Sequence, residues 1–282
     1  LMVSSSCIDF LVVMNIFFSS CIMVLLVESA VELLKFYGMT GNLSQNNIST
    51  NGLKKLFPHF PTRIFIDGRV TKWGKITIIL QDTAGLIGTN DVEGIMNYLI
   101  SNKKISKDKE AIIQDSINDW LDNNSFKLLN GAESSFYRSQ GYAYLPRNEN
   151  YFSSIDELFS VRGLVDSNLD KKFLRSKFVV SDYTARNVIT MDVDLLGNVY
   201  NLPKIEIEQL KKAREESIDT FFKLFYQQNP EVFQSEGTGS SASRIVKTIV
   251  MYDDGEIHEQ VSLLISFRLG LLGASEVLEY NN

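Results

Sequence analysis

The side chains with the clearest capacity for chemistry are four oxygen donors near the middle of the chain. Asp119, Asp122 and Asn124 follow one another closely, and Glu133 comes shortly after Gly131. Carboxylate and amide oxygens suit a hard cation, so this spacing predicts a structural Ca²⁺ site. The same residues also suit a metal-free role, with Asp122 and Asn124 as turn residues at a helix end and Glu133 as a capping partner.

No catalytic site is expected elsewhere in the sequence. His59 lies between two prolines and His258 follows a predicted turn, and these are the two histidines of the chain. No pair of nucleophile and base, phosphate-binding glycine loop or zinc-ligand spacing can be assembled around them. The sequence therefore predicts a protein that is not an enzyme.

Length and charge limit the remaining functions. The chain has 282 residues and a formal net charge of −6, which corresponds to an isoelectric point near 5.1. That length can form one large domain or two small ones with a substantial core. The negative charge repels nucleic acid and gives no reason to expect binding to anionic lipid headgroups.

The first 27 residues are strongly apolar, with Asp9 as their one charged residue. This run is long enough to cross a hydrocarbon core of about 30 Å as a helix, so it predicts a transmembrane anchor. A basic start and a small-residue cleavage site are not visible, and position 1 is interpreted as the mature end of a processed protein. Cys7 and Cys21 would lie about 21 Å apart on such a helix and cannot form a disulfide.

Hydrophobic periodicity predicts the elements that follow. Val27, Val31 and Leu34 recur on one face and indicate that the helix continues amphipathically until Gly38 or Gly41. The further predictions are a polar linker at 42–52, strands at 63–70 and 75–82, helical segments at 92–102, 109–123, 154–163, 168–177 and 205–228, a flexible connector at 235–243, and a final hairpin turning at Asp254–Gly255.

This order of elements predicts an α+β fold with one sheet and a helical insertion between its strands. The expected organisation is an N-terminal transmembrane helix at 1–41, the first part of the sheet at 60–83, an inserted helical domain at 84–234, and the final strands at 244–282.

Several segments together resemble the type II secretion protein K family. DWLDNNSFKLLNGAESSFY at 119–137 is similar to a family segment in which DWxDxD leads into GAEDxxY, and SSIDELFSVRGL at 153–164 follows in the same order. ITIILQDTAGLIGTN at 76–90 and IEIEQLKKAREES at 205–217 agree as well. Asn124 and Ser134 stand where the family usually has aspartate, and residues 187–199 depart from its asparagine-rich loop.

The resemblance implies a minor pseudopilin, with a long pilin-like N-terminal helix packed on a small antiparallel sheet and a large helical domain inserted between the strands. Its expected role is to cap the tip of a type II secretion pseudopilus. Its expected partners are the I-type and J-type minor pseudopilins, the major pseudopilin and, before assembly, the inner membrane, with the body in the periplasm. Most pseudopilins carry glutamate at position 5, and the Ser5 of this chain fits a subunit at the end of the filament. The resemblance also implies calcium, because members of the family are known to contain it.

Two alternatives from other classes remain open at this stage. A minor subunit or tip adhesin of a type IV pilus would share the anchor but bind a surface ligand. A membrane-tethered DNA receptor with helix-hairpin-helix units is the second alternative. Residues 159–173, with Arg162 and Gly163, resemble a helix-hairpin-helix turn that can hold a DNA phosphate. The surrounding aspartates and glutamates favour a packing hairpin, so no nucleic-acid partner is expected.

Overall fold

The computed structural model describes residues 24–281, apart from 103, 147–149, 168, 181–185, 233–244, 256–257 and 268–275. Most of the predicted anchor, with Ser5, Cys7, Asp9 and Cys21, lies outside the described residues, as does the predicted connector at 235–243. The chain divides into two compact units, residues 1–83 with 241–282, and residues 84–240. Within the described part, no helix combines the length and apolarity that crossing a membrane requires.

The elements are numbered here in chain order. The helices are α1 at residues 24–37, α2 Val92–Ser101, α3 Lys107–Leu121, α4 Ser134–Ser139, α5 Ile155–Leu158, α6 Lys171–Arg175, α7 Val193–Val199, α8 Lys204–Glu216 and α9 Ile218–Gln228. The strands are β1 Asn47–Ser49, β2 Arg63–Phe65, β3 Asp67–Trp73, β4 Ile76–Asp82, β5 Ile87–Gly88, β6 Phe178–Val179, β7 Ile245–Asp253, β8 His258–Ser266 and β9 Glu276–Asn281.

The first unit is built on a five-stranded sheet in the order β3-β4-β7-β8-β9, and every adjacent pair is antiparallel. Burial alternates along β4, as expected of a strand with one face on a core. Val27, Val31 and Leu34 of α1 are buried in the same hydrophobic cluster as Ile78 and Leu80 of β4. The apolar face predicted for this helix is therefore the face that packs in the core.

The first unit corrects two sequence predictions. The linker expected at 42–52 contains β1, whose Ile48 is fully buried and lies opposite Ile64 of β2. Ile48 and Leu43 are the apolar residues of this segment, and both pack in the core of the first unit. The strand expected at 63–70 is two strands, β2 and β3, which are separated at Ile66. Within β3, Gly68 has a φ of 81° and the register against β4 shifts between Asp67 and Val70. The final hairpin turns as predicted, with Gly255 at a φ of 91°.

The second unit is mostly helical around a core of its own, and β5 and β6 form a two-stranded parallel sheet in it. The helix predicted at 205–228 is interrupted at Ser217, which ends α8 and caps α9 by accepting a hydrogen bond from Thr220 N. Residues 187–199 contain α7, which begins after Asp192 as its N-cap. In sequence the unit lies between β4 and β7, and the predicted α+β fold class is confirmed.

Candidate metal centre

Helix α3 carries the first of the candidate ligands and is held firmly in the core of the second unit. Ile113, Ile117 and Trp120 are buried on one face of the helix. The Trp120 ring packs edge-on against Tyr137 with centroids 4.9 Å apart, and its Nε1 donates to Glu157 Oε1 at 3.0 Å. The end of the helix is therefore fixed both by packing and by a buried hydrogen bond.

The loop after α3 folds back over the helix and is tied to two of its carboxylates. Asp119 Oδ1 accepts a hydrogen bond from Leu128 N at 3.0 Å. One turn earlier, Asp115 Oδ2 accepts hydrogen bonds from both the backbone N and the side-chain Nδ2 of Asn130, each at 3.0 Å. Aspartates four residues apart lie on the same face of a helix, so Asp115 and Asp119 both bind the loop on that face of α3.

The three carboxylates among the four predicted ligands come together at this point. Asp119, Asp122 and Glu133 can each offer a carboxylate oxygen, and these oxygens all lie within 4.8 Å of one another. Two oxygens bound to one Ca²⁺ lie no more than about 5 Å apart, since each is about 2.3–2.6 Å from the ion. Asn124 lies in the same loop, but its Oδ1 accepts a hydrogen bond from Phe126 N at 2.7 Å.

The charged forms of these carboxylates repel one another when no cation is bound. Burial raises the pKa of Asp119 above its ordinary value, and the charges of Asp122 and Asp115 add to this rise, although hydrogen bonds from backbone amides oppose it. Burial also raises the pKa of Glu133, and the charges of Asp119 and Asp122 act in the same direction. A bound cation would reverse this effect, because it favours the charged form of each carboxylate.

The environment of one buried oxygen, Glu133 Oε1, indicates whether these residues suit a cation. Glu133 is 5% exposed, and its Oε1 accepts no hydrogen bond from any described residue. A buried carboxylate oxygen without a partner is costly, so natural proteins usually satisfy it. The donor set of three carboxylates therefore fits a hard divalent cation such as Ca²⁺, with Asp119, Asp122 and Glu133 as the residues that would hold it.

The metal-free alternative accounts for only part of this arrangement. Asp122 ends α3, and its Oδ1 accepts a hydrogen bond from Asn124 N at 3.0 Å, as a turn residue would. Glu133 stands at the N-cap of α4, but its side chain makes no capping hydrogen bond. A capping role therefore leaves the position of the Glu133 carboxylate unexplained.

Comparison with known proteins places this centre in a recognisable segment. Residues 88–171 match the type II secretion system protein K family. The predicted resemblance is confirmed. A search of curated proteins finds no match. The fold is similar to a chain of the crystal structure of the GspK-GspI-GspJ complex from the enterotoxigenic Escherichia coli type 2 secretion system, with a TM-score of 0.58, 16% identity, and 99% of each chain covered.

The sequence placed Arg162 in a packing hairpin but gave no indication of the groups that it contacts. Its Nη1 donates to Asn130 O at 3.2 Å and to Gly131 O at 2.9 Å, while its backbone N donates to the Tyr137 hydroxyl at 3.0 Å. The neighbouring Gly163 has a φ of 86° and packs so closely on Ile113 that a Cβ would lie 2.6 Å from Cγ1. In this hairpin both residues serve internal packing.

Substituting Gly131 with alanine is expected to destabilise the protein by about 1–3 kcal/mol, a typical cost of forcing extra atoms into a packed site. A Cβ at this position would overlap Asp119 Oδ2 and lie 2.7 Å from Asp119 Cγ and 3.0 Å from Asp115 O. Urea-induced unfolding measures the loss. Asn123→Ala, at an exposed position of the same loop, is the control, and equal stability of the two variants would show that the loop tolerates the extra methyl group.

Proposed function

We propose that this protein is a minor pseudopilin that caps the tip of a type II secretion pseudopilus and initiates its assembly by binding other minor pseudopilins. The observation that carries the proposal is the protein K match over residues 88–171, which includes all four candidate ligands. The placement of a helical unit between β4 and β7 supports it. A bulky unit of this kind would hinder the stacking of a further subunit above it, as a capping role requires.

The proposed partners follow from the structural comparison. The similar chain comes from a complex of GspK, GspI and GspJ, so the I-type and J-type minor pseudopilins are the first partners to test, followed by the major pseudopilin. The apolar segment 1–27 supports anchoring in the inner membrane before assembly, with the body in the periplasm.

In this proposal the cation at Asp119, Asp122 and Glu133 is structural. It would fix the loop between α3 and α4, since its ligands come from the end of α3, from the loop and from the start of α4. The same loop exposes Phe126 and Leu129, which are 83% and 89% accessible. Large apolar side chains on a fixed loop are typical of a protein interface, because little conformational entropy remains to be lost on binding.

Capture of partner subunits tests the proposal. The full-length protein in detergent, mixed with the I-type and J-type pseudopilins of the same genome, is expected to form a stable ternary complex that weakens when calcium is chelated. Replacing both Phe126 and Leu129 with serine is expected to weaken the complex without lowering the melting temperature, because both side chains are exposed. Absence of any complex, with or without calcium, would contradict the capping role and favour a pilus adhesin.

A further inference from the structure

A cleft separate from the metal centre lies between α2 and α3 on the surface of the second unit. It has a volume of about 360 Å³, within the range of pockets that bind small molecules or single side chains. Eight residues line it: Val92, Glu93, Met96, Asn97, Ile100, Glu110, Gln114 and Asn118. None of the proposed metal ligands is among them.

The cleft combines an apolar wall with a polar rim. Val92, Met96 and Ile100 contribute hydrocarbon and thioether surface from α2, and Met96 is buried, at 5% exposed. The amides of Gln114 and Asn118 line the side formed by α3. An occupant of this cleft would therefore need both an apolar stem and hydrogen-bonding groups.

The charged residues among the described lining of the cleft are both acidic. Glu93 comes from α2 and Glu110 from α3, and neither lysine nor arginine lines the space. Within the described ranges neither glutamate takes part in an ion pair, whereas other carboxylates of this unit do: Asp91 pairs with Arg186, and Asp194 pairs with Lys211. Two carboxylates beside one cleft, with no ion pair to any residue that the structure describes, attract an organic cation.

We propose that this cleft binds the side chain of an arginine carried by a basic segment of a partner protein. The aliphatic stem of arginine would cover Met96 and Ile100, as such stems commonly do on apolar surfaces. The planar guanidinium has five N–H donors, enough for Glu93, Glu110 and the nearby amide oxygens. A hydrated metal ion would gain nothing from the apolar wall.

The choice of a protein as the source of the arginine rests on the proposed assembly function, but the binding site itself does not. A small-molecule probe therefore separates the two ideas. The probe is argininamide, and its matched control is citrullinamide, in which an uncharged urea group replaces the guanidinium. If argininamide binds but the partner subunits are not captured, only the capping role is contradicted. If the subunits are captured but argininamide does not bind, only the proposed arginine site is contradicted.

Nuclear magnetic resonance of methionine methyl groups reports directly on this site. The full-length chain has seven methionines, and Met96→Leu identifies the signal of the residue in the cleft wall. Argininamide is expected to shift the Met96 signal, with binding about fivefold or more tighter than that of citrullinamide, because charge-assisted hydrogen bonds are the stronger kind. High salt is expected to weaken the binding of argininamide selectively.

The double substitution Glu93→Gln and Glu110→Gln is expected to abolish this preference for the charged probe. An unmoved Met96 signal, equal binding of the two probes, or a preference that persists in the double variant would each overturn the proposal. The salt dependence in the unsubstituted protein keeps the test decisive if the double variant does not fold.

Discussion

Replacing Arg186 with methionine is expected to lower the free energy of unfolding of the second unit by about 3–5 kcal/mol, the typical cost of breaking a buried ion pair. Arg186 Nε lies 2.6 Å from Asp91 Oδ2, and Nη2 lies 2.6 Å from Asp91 Oδ1, so the pair is bidentate. The two side chains are 9% and 5% exposed. Removal of the arginine would leave a buried carboxylate without its counter-charge.

The same carboxylate also starts a helix. Asp91 Oδ1 accepts a hydrogen bond from Gly94 N at 2.9 Å, which caps α2. The ion pair thus joins the start of α2 to a segment 95 residues further along the chain. Loss of Arg186 is therefore expected to loosen both the beginning of α2 and the chain before α7.

Urea unfolding followed by tryptophan fluorescence measures this effect. The two tryptophans lie in different units, Trp73 in the first and Trp120 in the second, so a Trp73→Phe background isolates the second unit. Arg175→Met is the matched control, since it breaks an ion pair with Asp156 in which the side chains are 47% and 62% exposed. The control substitution is expected to lower the free energy of unfolding by less than about 1 kcal/mol. Equal losses of stability in the two arginine variants would contradict the prediction.

The acidic cluster of Asp119, Asp122 and Glu133 leads to a second large effect on the stability of the protein. Bound protons are expected to stabilise the protein at low pH, and bound calcium at neutral pH. The calcium-free protein is expected to gain stability as the pH falls from 7 towards 5, relative to a variant carrying Asp119→Asn and Glu133→Gln. The pKa values of Asp119 and Glu133 are raised in the folded state, so the folded protein holds these protons more tightly than the unfolded chain.

The direction of this dependence follows from proton linkage. The stabilisation by bound protons is complete below the ordinary carboxyl pKa of about 4, and it is lost as the pH rises through the raised values. Calcium is expected to restore stability at neutral pH, by about 2.7 kcal/mol when its concentration is a hundred times the dissociation constant.

Thermal unfolding by circular dichroism, at pH 5 and pH 7 with chelator or with calcium, compares the wild type with the double variant. The variant is expected to lose both the stabilisation by calcium and the additional gain at low pH. Parallel pH dependence in the two proteins, together with an equal response to calcium, would show that the cluster neither holds extra protons nor binds the ion.

The sequence could predict the parts of this protein that depend on local patterns. Asp119, Asp122 and Glu133 lie within one short segment, so their spacing alone indicated that their oxygens could meet. Asn124 satisfies the same spacing, and its Oδ1 accepts a hydrogen bond from Phe126 N within the loop. Spacing cannot show which of these oxygens also close a turn, as Asp122 Oδ1 does by accepting a hydrogen bond from Asn124 N.

The contacts that hold the centre could not be predicted in the same way. Arg162 reaches a carbonyl 32 residues away in the chain, and Asp115 reaches an amide 15 residues away. Such partners depend on how α3, its loop and the hairpin pack together, and one sequence carries little signal for that packing. Ile48 shows the same limit in the sheet, where its burial depends on pairing with β2 rather than on its polar neighbours.

The position of the second unit in the chain has a consequence for evolution. Asp82, at the end of β4, lies directly opposite Val246 in β7, so the chain leaves the sheet and returns to it at adjacent strand positions, about 5 Å apart. A segment inserted there need only bring its two ends together, and the entropic cost of closing a loop grows slowly with its length. Whole helices could therefore be gained, lost or exchanged at this point over generations while the strand register of the host sheet stayed the same.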